Sequence, residues 1–317
     1  MSTVRVYRST DPGAPAHPSA TRGSMAALLR ACLVTGYGSG ENFKAPAGWE
    51  EPFAETNNKA CFRALSGARA FYQIDDALTN ANVTRLYGFE SMSNAETGVG
   101  WGKANYFGKT PPAGTPRWTV IADEKTCYVL LGTTIYQQPY CFGEFFSYLD
   151  NDPYNSIVAG SSALANVILG SNAIALLSNI NAGNTNYRTT TNESLGHVHK
   201  DIDGQSSAFS IATLGAASTV IGGSYHVHPL RSGTIAPIIP MFIADGNWVQ
   251  TPGSTGYRQF HGHLRGMMFP CAFRPYSDEQ VVTLGGVNYL SLNVTSYSAS
   301  SEPHQSQFLF RLNSWEG

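Results

Sequence analysis

One stretch of the chain, Arg22–Gly38, has the periodicity of an amphipathic helix, and no other segment matches it. Apolar residues recur there at positions i, i+3, i+4, i+7 and i+8, which places them on one face of a helix. The residues of this face are Met25, Leu28, Leu29, Cys32 and Leu33. A lone helix with one apolar face buries that face against a sheet, so we expect it to serve core packing.

The predicted helix covers residues 22–36 and has signals at both ends. Ser24 belongs to the residue types that cap helix N-termini. Gly36 can adopt the left-handed conformation that ends a helix. We therefore expect the helix to begin at a Ser24 side-chain cap and to end at Gly36.

The rest of the sequence is typical of short strands joined by turns. The clearest hairpin joins two β-rich runs, Trp118–Ala122 and Thr126–Leu131, through a turn at Asp123–Lys125. We therefore predict a mainly β fold. Its antiparallel sheets form a sandwich or a barrel-like structure with many loops, and the single N-terminal helix packs on them.

Two irregular stretches interrupt the strand pattern. Thr97–Gly114 is rich in Gly and Pro and is predicted to be a long loop. Asp150–Pro153 is the strongest break. It separates a β-rich domain over residues 1–150 from a β-rich region over residues 151–317 that is richer in His, Ser and Gly. The alternative is one continuous domain.

The charge content indicates which kinds of partner the chain can bind. Only 13% of residues are charged and the net charge is −2, with no run of Lys or Arg. A basic nucleic-acid-binding surface is therefore not expected. Such a weakly charged surface favours coverage by other subunits, so we expect a homo-oligomer.

Cysteine spacing and hydropathy indicate the cellular compartment in which the protein is assembled. The five cysteines are widely separated and include no CxxC motif, so we expect them to be reduced and mostly buried, as in a protein assembled in the cytoplasm. The alternative is a disulfide between two of them. The N-terminal residues lack the apolar core of a signal peptide. The most apolar window, Ser161–Ile180, is broken by Asn, Gly and Ser, so no membrane span is predicted.

Six of the eight histidines form three His-x-His pairs: His197 with His199, His226 with His228, and His261 with His263. On a strand, residues i and i+2 point to the same side, so each pair presents two imidazoles together. Zn²⁺, Fe²⁺ and Ni²⁺ suit that arrangement. The strand-like context of His226 and His228 favours that pair. The alternative is polar loop residues without a metal, and no other cofactor is indicated.

Catalytic signals are weak, and we predict that the chain is not an enzyme. It has no GxSxG, HExxH, P-loop or GxGxxG motif. Asp75 and Asp76 are adjacent and would point to opposite faces of a strand, which favours a turn or a helix cap. Trp101, Tyr106 and Phe107 lie in the predicted long loop, where they would stack sugars or a receptor. The alternative for these three is core or interface packing.

Several colinear segments resemble a family of tailed-bacteriophage virion structural proteins encoded among head and tail genes. The likeness is dense over residues 1–160 and patchy after that. The strongest segments are VRVYRSTDPGAPA (Val4–Ala16), GSMAALLRACLVTGYGSG (Gly23–Gly40), APAGWEEPFAETNNKACFR (Ala45–Arg63) and RWTVIADEKTCYVLL (Arg117–Leu131). HLRGMMFPCAFRP (His263–Pro275) is similar to a segment near the end of the family's sequences.

The resemblance implies a virion building block that works by symmetric assembly with other virion structural proteins. The expected site is the tail or baseplate. The alternatives are a capsid decoration or neck (collar) protein, and a receptor- or glycan-binding tail module. Such a protein would be assembled in the host cytoplasm and would remain in the virion.

Overall fold

The computed structural model describes residues 3–109, 115–133, 137–160, 196–199, 207–212, 238–245, 260–270, 276–298 and 301–315. The prediction of a mainly β, antiparallel fold with one short N-terminal helix is confirmed. In chain order the strands are β1 (Arg5–Arg8), β2 (Trp49–Glu50), β3 (Lys59–Ala64), β4 (Phe71–Asp75), β5 (Val83–Met92), β6 (Gly98–Gly108), β7 (Pro116–Ala122), β8 (Thr126–Thr133), β9 (Gln137–Ser147), β10 (Ser156–Ala159), β11 (Gly196–Val198), β12 (Ser207–Ala212), β13 (Ile238–Asp245), β14 (Phe260–Pro270), β15 (Val281–Leu284), β16 (Val287–Ser298) and β17 (Ser301–Arg311).

The strands form two antiparallel sheets. Strands β2 to β6 follow one another in a five-stranded meander. The other twelve strands form a sheet in the order β1-β7-β8-β9-β10-β11-β12-β13-β14-β17-β16-β15. Since β9 also pairs with β14, strands β9 to β14 close into a ring. Strands β9 and β10 lie on either side of Asp150 and pair directly, which favours the continuous-domain alternative.

The central layer, formed by β7, β8 and β9, separates two apolar cores. Along β8, Cys127, Val129 and Leu131 face a core shared with the helix and the five-stranded sheet. Tyr128 and Leu130 face a second core shared with β14, β16 and β17. Side chains alternate between the two faces of a strand, so a strand covered on both faces reads as a continuous apolar run. All eight residues of β8 are buried accordingly.

The helix α1 (Ser24–Arg30) continues into a π-helical turn over Ala31–Thr35. The five apolar residues predicted to share its inner face are all fully buried, which confirms that face. Gly36 follows with φ of 76°, the positive value that the predicted end requires.

The predicted Ser24 cap is wrong. Gly23 occupies the N-cap position with φ of 79°, and no side chain of that residue can cap the helix. The Ser24 hydroxyl instead donates to the carbonyl oxygen of Thr21 at 2.7 Å. The free Met25 N–H donates to a carboxylate oxygen of Asp76 at 2.9 Å, so the cap comes from another part of the chain.

The predicted loop over Thr97–Gly114 is also wrong, because most of it is strand β6. The strand pairs with β5 over most of its length. Gly88 of β5 lies opposite Trp101, and a methyl group at Gly88 would overlap the indole ring. Glycine in this hairpin therefore makes room for a large side chain, a packing role that composition alone does not reveal.

Four cysteines (Cys32, Cys61, Cys127 and Cys141) are free and buried, as predicted; Cys271 lies outside the described residues. Burial raises the pKa of the Cys127 thiol well above its ordinary value, so this thiol stays protonated. Among the described residues, no helix is long and apolar enough to cross a membrane.

Candidate functional site

The structure describes one His-x-His pair, His261 with His263, in full and a second pair, His197 with His199, in part. His261 and His263 both lie on β14. His197 lies on β11 and His199 follows that strand directly. His226 and His228, the pair favoured from the sequence, lie outside the described residues.

His261 and His263 belong to a surface that we call the aromatic–histidine patch, formed with Phe146, Tyr148 and Phe242. The register of β9 against β14 pairs Phe146 with His263. The Tyr148 N–H donates to the His261 carbonyl at 2.9 Å and extends the same register. Cross-strand partners share a face, so Phe146, Tyr148 and both histidines lie on one side of the sheet.

Three aromatic rings surround the imidazole of His263. The ring centroids of Phe146, Tyr148 and Phe242 lie 5.0, 5.8 and 6.5 Å from it. Burial lowers the pKa of His263, so this imidazole is neutral at pH 7. Tyr148 is 52% exposed, which leaves the patch open to solvent on that side.

Two ring nitrogens in the patch are buried and have no hydrogen-bond partner among the described residues. These atoms are Nε2 of His261 and Nδ1 of His263. A neutral imidazole nitrogen can donate or accept a hydrogen bond, and its lone pair can bind a metal ion. In the described part of the chain, three or more His, Cys, Asp or Glu residues do not gather into a metal-binding group.

His199 lies in a different place, where β11 approaches the five-stranded sheet. Its ring stacks on Trp101 with centroids 5.1 Å apart and an interplanar angle of 18°. Tyr154 contacts the same imidazole edge-on at 5.0 Å. Nε2 of His199 lies 3.7 Å from a carboxylate oxygen of Glu90. This histidine therefore links the two sheets and is remote in sequence and strand from the patch on β14.

The predicted aromatic platform is wrong. Trp101 is only 6% exposed, because His199 covers its ring, and Phe107 is fully buried against Tyr140. Tyr106 is partly buried on the same strand. The three residues belong to a strand, not a loop, and packing between the sheets occupies the rings of Trp101 and Phe107. The alternative of core packing holds for Trp101 and Phe107.

The first of two buried ion pairs lies at the N-terminus of α1. Nζ of Lys109 is 2.8 Å from a carboxylate oxygen of Asp76, and both side chains are fully buried. Asp76 also accepts hydrogen bonds from Thr84 and from the Met25 N–H. The predicted helix-cap role of Asp76 is confirmed, whereas its partner Lys109 had no signal in the sequence.

The second buried ion pair joins β14 to the predicted Asp123–Lys125 turn. A guanidinium nitrogen of Arg265 lies 2.9 Å from a carboxylate oxygen of Asp123. Asp123 also accepts hydrogen bonds from the N–H groups of Lys125 and Thr126, which confirms the turn. This pair connects the central layer to the second core. A lone Arg within an apolar run is the signal that could have indicated it.

A third buried carboxyl, Glu144, lies under the hairpin between β3 and β4. The Ala68 N–H donates to its side chain at 2.5 Å. Burial is the largest influence on this group and raises its pKa above the ordinary 4.5. The folded state therefore binds the proton of the Glu144 carboxyl more tightly than the unfolded state does. The stabilisation from Glu144 is full below the ordinary pKa and is lost as pH rises through the folded-state pKa.

We therefore predict that Glu144→Gln removes a pH-dependent part of the stability. The free energy of unfolding of the wild type, relative to the variant, should fall as pH rises above the ordinary pKa of 4.5. Urea denaturation at several pH values measures this difference, with Glu41→Gln, at an exposed carboxyl, as the control. If the wild-type and Glu144→Gln curves stay parallel across this range, the prediction is wrong.

The sheets end in strands that have one open edge. In the described part of the chain, β6 pairs only with β5, and β15 pairs only with β16. Val99 on β6 is 61% exposed and Val281 on β15 is 55% exposed. Both neighbours of Val99, Gly98 and Gly100, are exposed as well. An open strand edge offers unpaired N–H and C=O groups to another strand.

Comparison of the chain with protein-family models and with curated proteins finds no match. The function is therefore inferred from the geometry described above and from the sequence resemblance.

Proposed function

We propose that the chain is a non-catalytic structural subunit of a tailed-bacteriophage virion, placed in the tail or baseplate and assembled as a homo-oligomer with other virion proteins. The observation that carries the proposal is the pair of open sheet edges with exposed valines, Val99 on β6 and Val281 on β15. The colinear segments of residues 1–160 that resemble virion proteins point the same way.

The chemistry of these edges suits strand addition by a neighbour. Soluble monomers usually protect an open edge with charged residues, proline or a bulge. The exposed Gly98–Gly100 segment of β6 has no charged residue and no proline; its ladder shifts register on the β5 side, between Phe89 and Ser91, and not on the open side. A neighbouring strand would satisfy its backbone groups and cover Val99, so both hydrogen bonding and apolar burial favour association.

The internal ion pairs suit a rigid building block. The Lys109–Asp76 and Arg265–Asp123 pairs are buried within the layers. Arg117 of β7 forms ion pairs with Asp278, at 3.2 Å, and with Glu279. These contacts tie distant segments of a weakly charged chain together and leave an uncharged edge such as Gly98–Gly100 available to neighbours.

Mass spectrometry of separated heads and tails from purified particles tests the location. The proposal expects the chain in the tail fraction at a fixed copy number per particle. Its presence with heads instead would replace the tail assignment with a capsid decoration or neck role. Absence from both fractions would contradict the virion proposal as a whole.

Charge placed on the open edges should disrupt assembly. We predict that Val99→Lys and Val281→Lys, separately or together, weaken self-association about tenfold or more. A strand added by a neighbour would either bury the lysine charge or be displaced by the lysine side chain. Leu65→Lys is the matched control, since Leu65 is 56% exposed in a turn between β3 and β4 and not on an open edge.

Light scattering coupled to size-exclusion chromatography, over a range of concentrations, measures the association. Circular dichroism should show unchanged strand content in all three variants, because each replaced side chain is solvent-exposed. A wild type that stays monomeric at every concentration, or a Leu65→Lys variant that dissociates equally, would contradict the edge mechanism.

A further inference from the structure

We infer that His261 and His263 bind a divalent transition-metal ion of the zinc class in the aromatic–histidine patch. The metal site goes beyond the proposed structural function, because the isolated chain would bind the ion without a neighbouring subunit. Three features of the patch support this inference: the placement of the two side chains, their two buried ring nitrogens, and their surroundings.

The two histidines lie on one face of β14 despite an irregularity in the strand. On the β13 side, Ile243 pairs with Gly262 and Ala244 with Phe260, so His261 is an extra residue there. On the β9 side, the register stays regular through the Phe146–His263 pair and the Tyr148–His261 hydrogen bond. The contacts of Phe146 and Tyr148 with the His263 ring place these three side chains on one face, and the register with β9 places His261 on the same face.

The two unpartnered nitrogens call for a ligand. Buried polar atoms in folded proteins nearly always have a hydrogen-bond partner, and leaving one unpaired is costly. Here Nε2 of His261 and Nδ1 of His263 are both buried without a partner among the described residues, on residues separated by one glycine. A bound ion that takes both lone pairs removes both costs at once.

The donor set selects the ion. Neutral imidazole nitrogen suits Zn²⁺, Ni²⁺ and Cu²⁺, whereas Ca²⁺ and Mg²⁺ prefer oxygen ligands. The patch offers two imidazoles, and among the described residues no third His, Cys, Asp or Glu joins them in a metal-binding group. Water completes the coordination on the open side, next to the half-exposed Tyr148.

The surroundings of the patch are compatible with a cation. Phe146 and Phe242 form an apolar wall beside His263 that limits access of water and orients the imidazole. The guanidinium carbon of Arg265 lies over the Phe146 ring, 5.5 Å from the ring centroid. Asp123 neutralises this guanidinium at 2.9 Å, so its repulsion of a bound ion is small.

Zinc binding by the full chain, prepared without a histidine tag, tests the inference. Isothermal titration with Zn²⁺ should show one saturable site, and elemental analysis after dialysis should show bound zinc. His261→Gln or His263→Gln should each weaken binding about tenfold or more, and the double variant should abolish it. Bound Zn²⁺ should raise the melting temperature of the wild type and not of the double variant.

The other two pairs supply matched controls. Double variants His197→Gln/His199→Gln and His226→Gln/His228→Gln remove the same number of imidazoles and should retain the site. Zinc binding that survives the His261→Gln/His263→Gln change would overturn the inference. So would binding that only the His226→Gln/His228→Gln change abolishes, or a wild type that binds no zinc. None of these outcomes alters the virion proposal, which depends on the sheet edges.

Discussion

Replacing Lys109 with methionine should lower the free energy of unfolding by about 3–5 kcal/mol. The substitution keeps most of the side-chain volume but removes the partner of Asp76, which lies 2.8 Å away and is fully buried. Without Lys109, the Asp76 carboxylate stays buried but loses the ion pair that offset the cost of its desolvation. Asp76 also holds the N-terminus of α1 through the Met25 N–H, so the loss extends to the helix.

Urea denaturation of matched variants measures this effect. Lys59→Met is the control, because Lys59 forms an exposed ion pair with Glu96 at 3.4 Å, and water screens such a pair so that it contributes little to stability. The double variant Lys109→Met/Asp76→Asn should recover part of the loss, since an uncharged amide can still accept the Met25 hydrogen bond. If Lys109→Met costs no more than Lys59→Met, the buried pair is not a principal stabilising contact.

Local periodicity predicted those parts of the fold in which neighbouring residues carry the signal. The apolar face of α1 was predictable because its residues repeat within two turns, and Leu28 and Cys32 are fully buried as expected. The hairpin of β7 and β8 was predictable because Asp123 makes its turn with residues two and three positions further on. Both features depend on contacts that are close in the chain.

Strand β6 was not predictable in the same way. Its residues Gly98–Gly108 are rich in glycine, and composition alone indicated a loop. Pairing with β5 and the close contact of Gly88 with Trp101 make the segment a strand. Glycine has a different role between β15 and β16, where Gly285 and Gly286 form a turn with positive φ at both residues.

The same distinction between local and long-range contacts applies to the candidate site. The His-x-His spacing predicted that His261 and His263 share a strand face, and the register of β14 against β9 agrees with that prediction. The sequence could not indicate that Phe146 lies beside them, because β9 and β14 are more than a hundred residues apart along the chain. Nor could it indicate the partners of the buried cations, since Lys109 pairs 33 residues away and Arg265 pairs 142 residues away.

Gly266 is the position where β14 changes partners, and it should tolerate no side chain. The strand pairs with β9 up to Leu264 and with β17 from Met267 onward. Gly266 turns the chain between them with φ of 66°, and a methyl group there would overlap the indole of Trp315. Trp315 cannot yield easily, because its ring packs edge-on against Tyr128 at 5.3 Å and its Nε1–H donates to a backbone carbonyl.

We therefore predict that Gly266→Ala lowers the free energy of unfolding by about 3 kcal/mol or more, from left-handed backbone strain and displacement of Trp315. Gly285→Ala separates the two causes, because Gly285 has a similar φ of 59° and open space around it. That control should cost only the strain, about 1–2 kcal/mol. Urea denaturation gives both values, and Trp315 fluorescence reports the displaced ring. Equal losses in the two variants would show that backbone strain alone, and not the contact with Trp315, requires glycine at this bend.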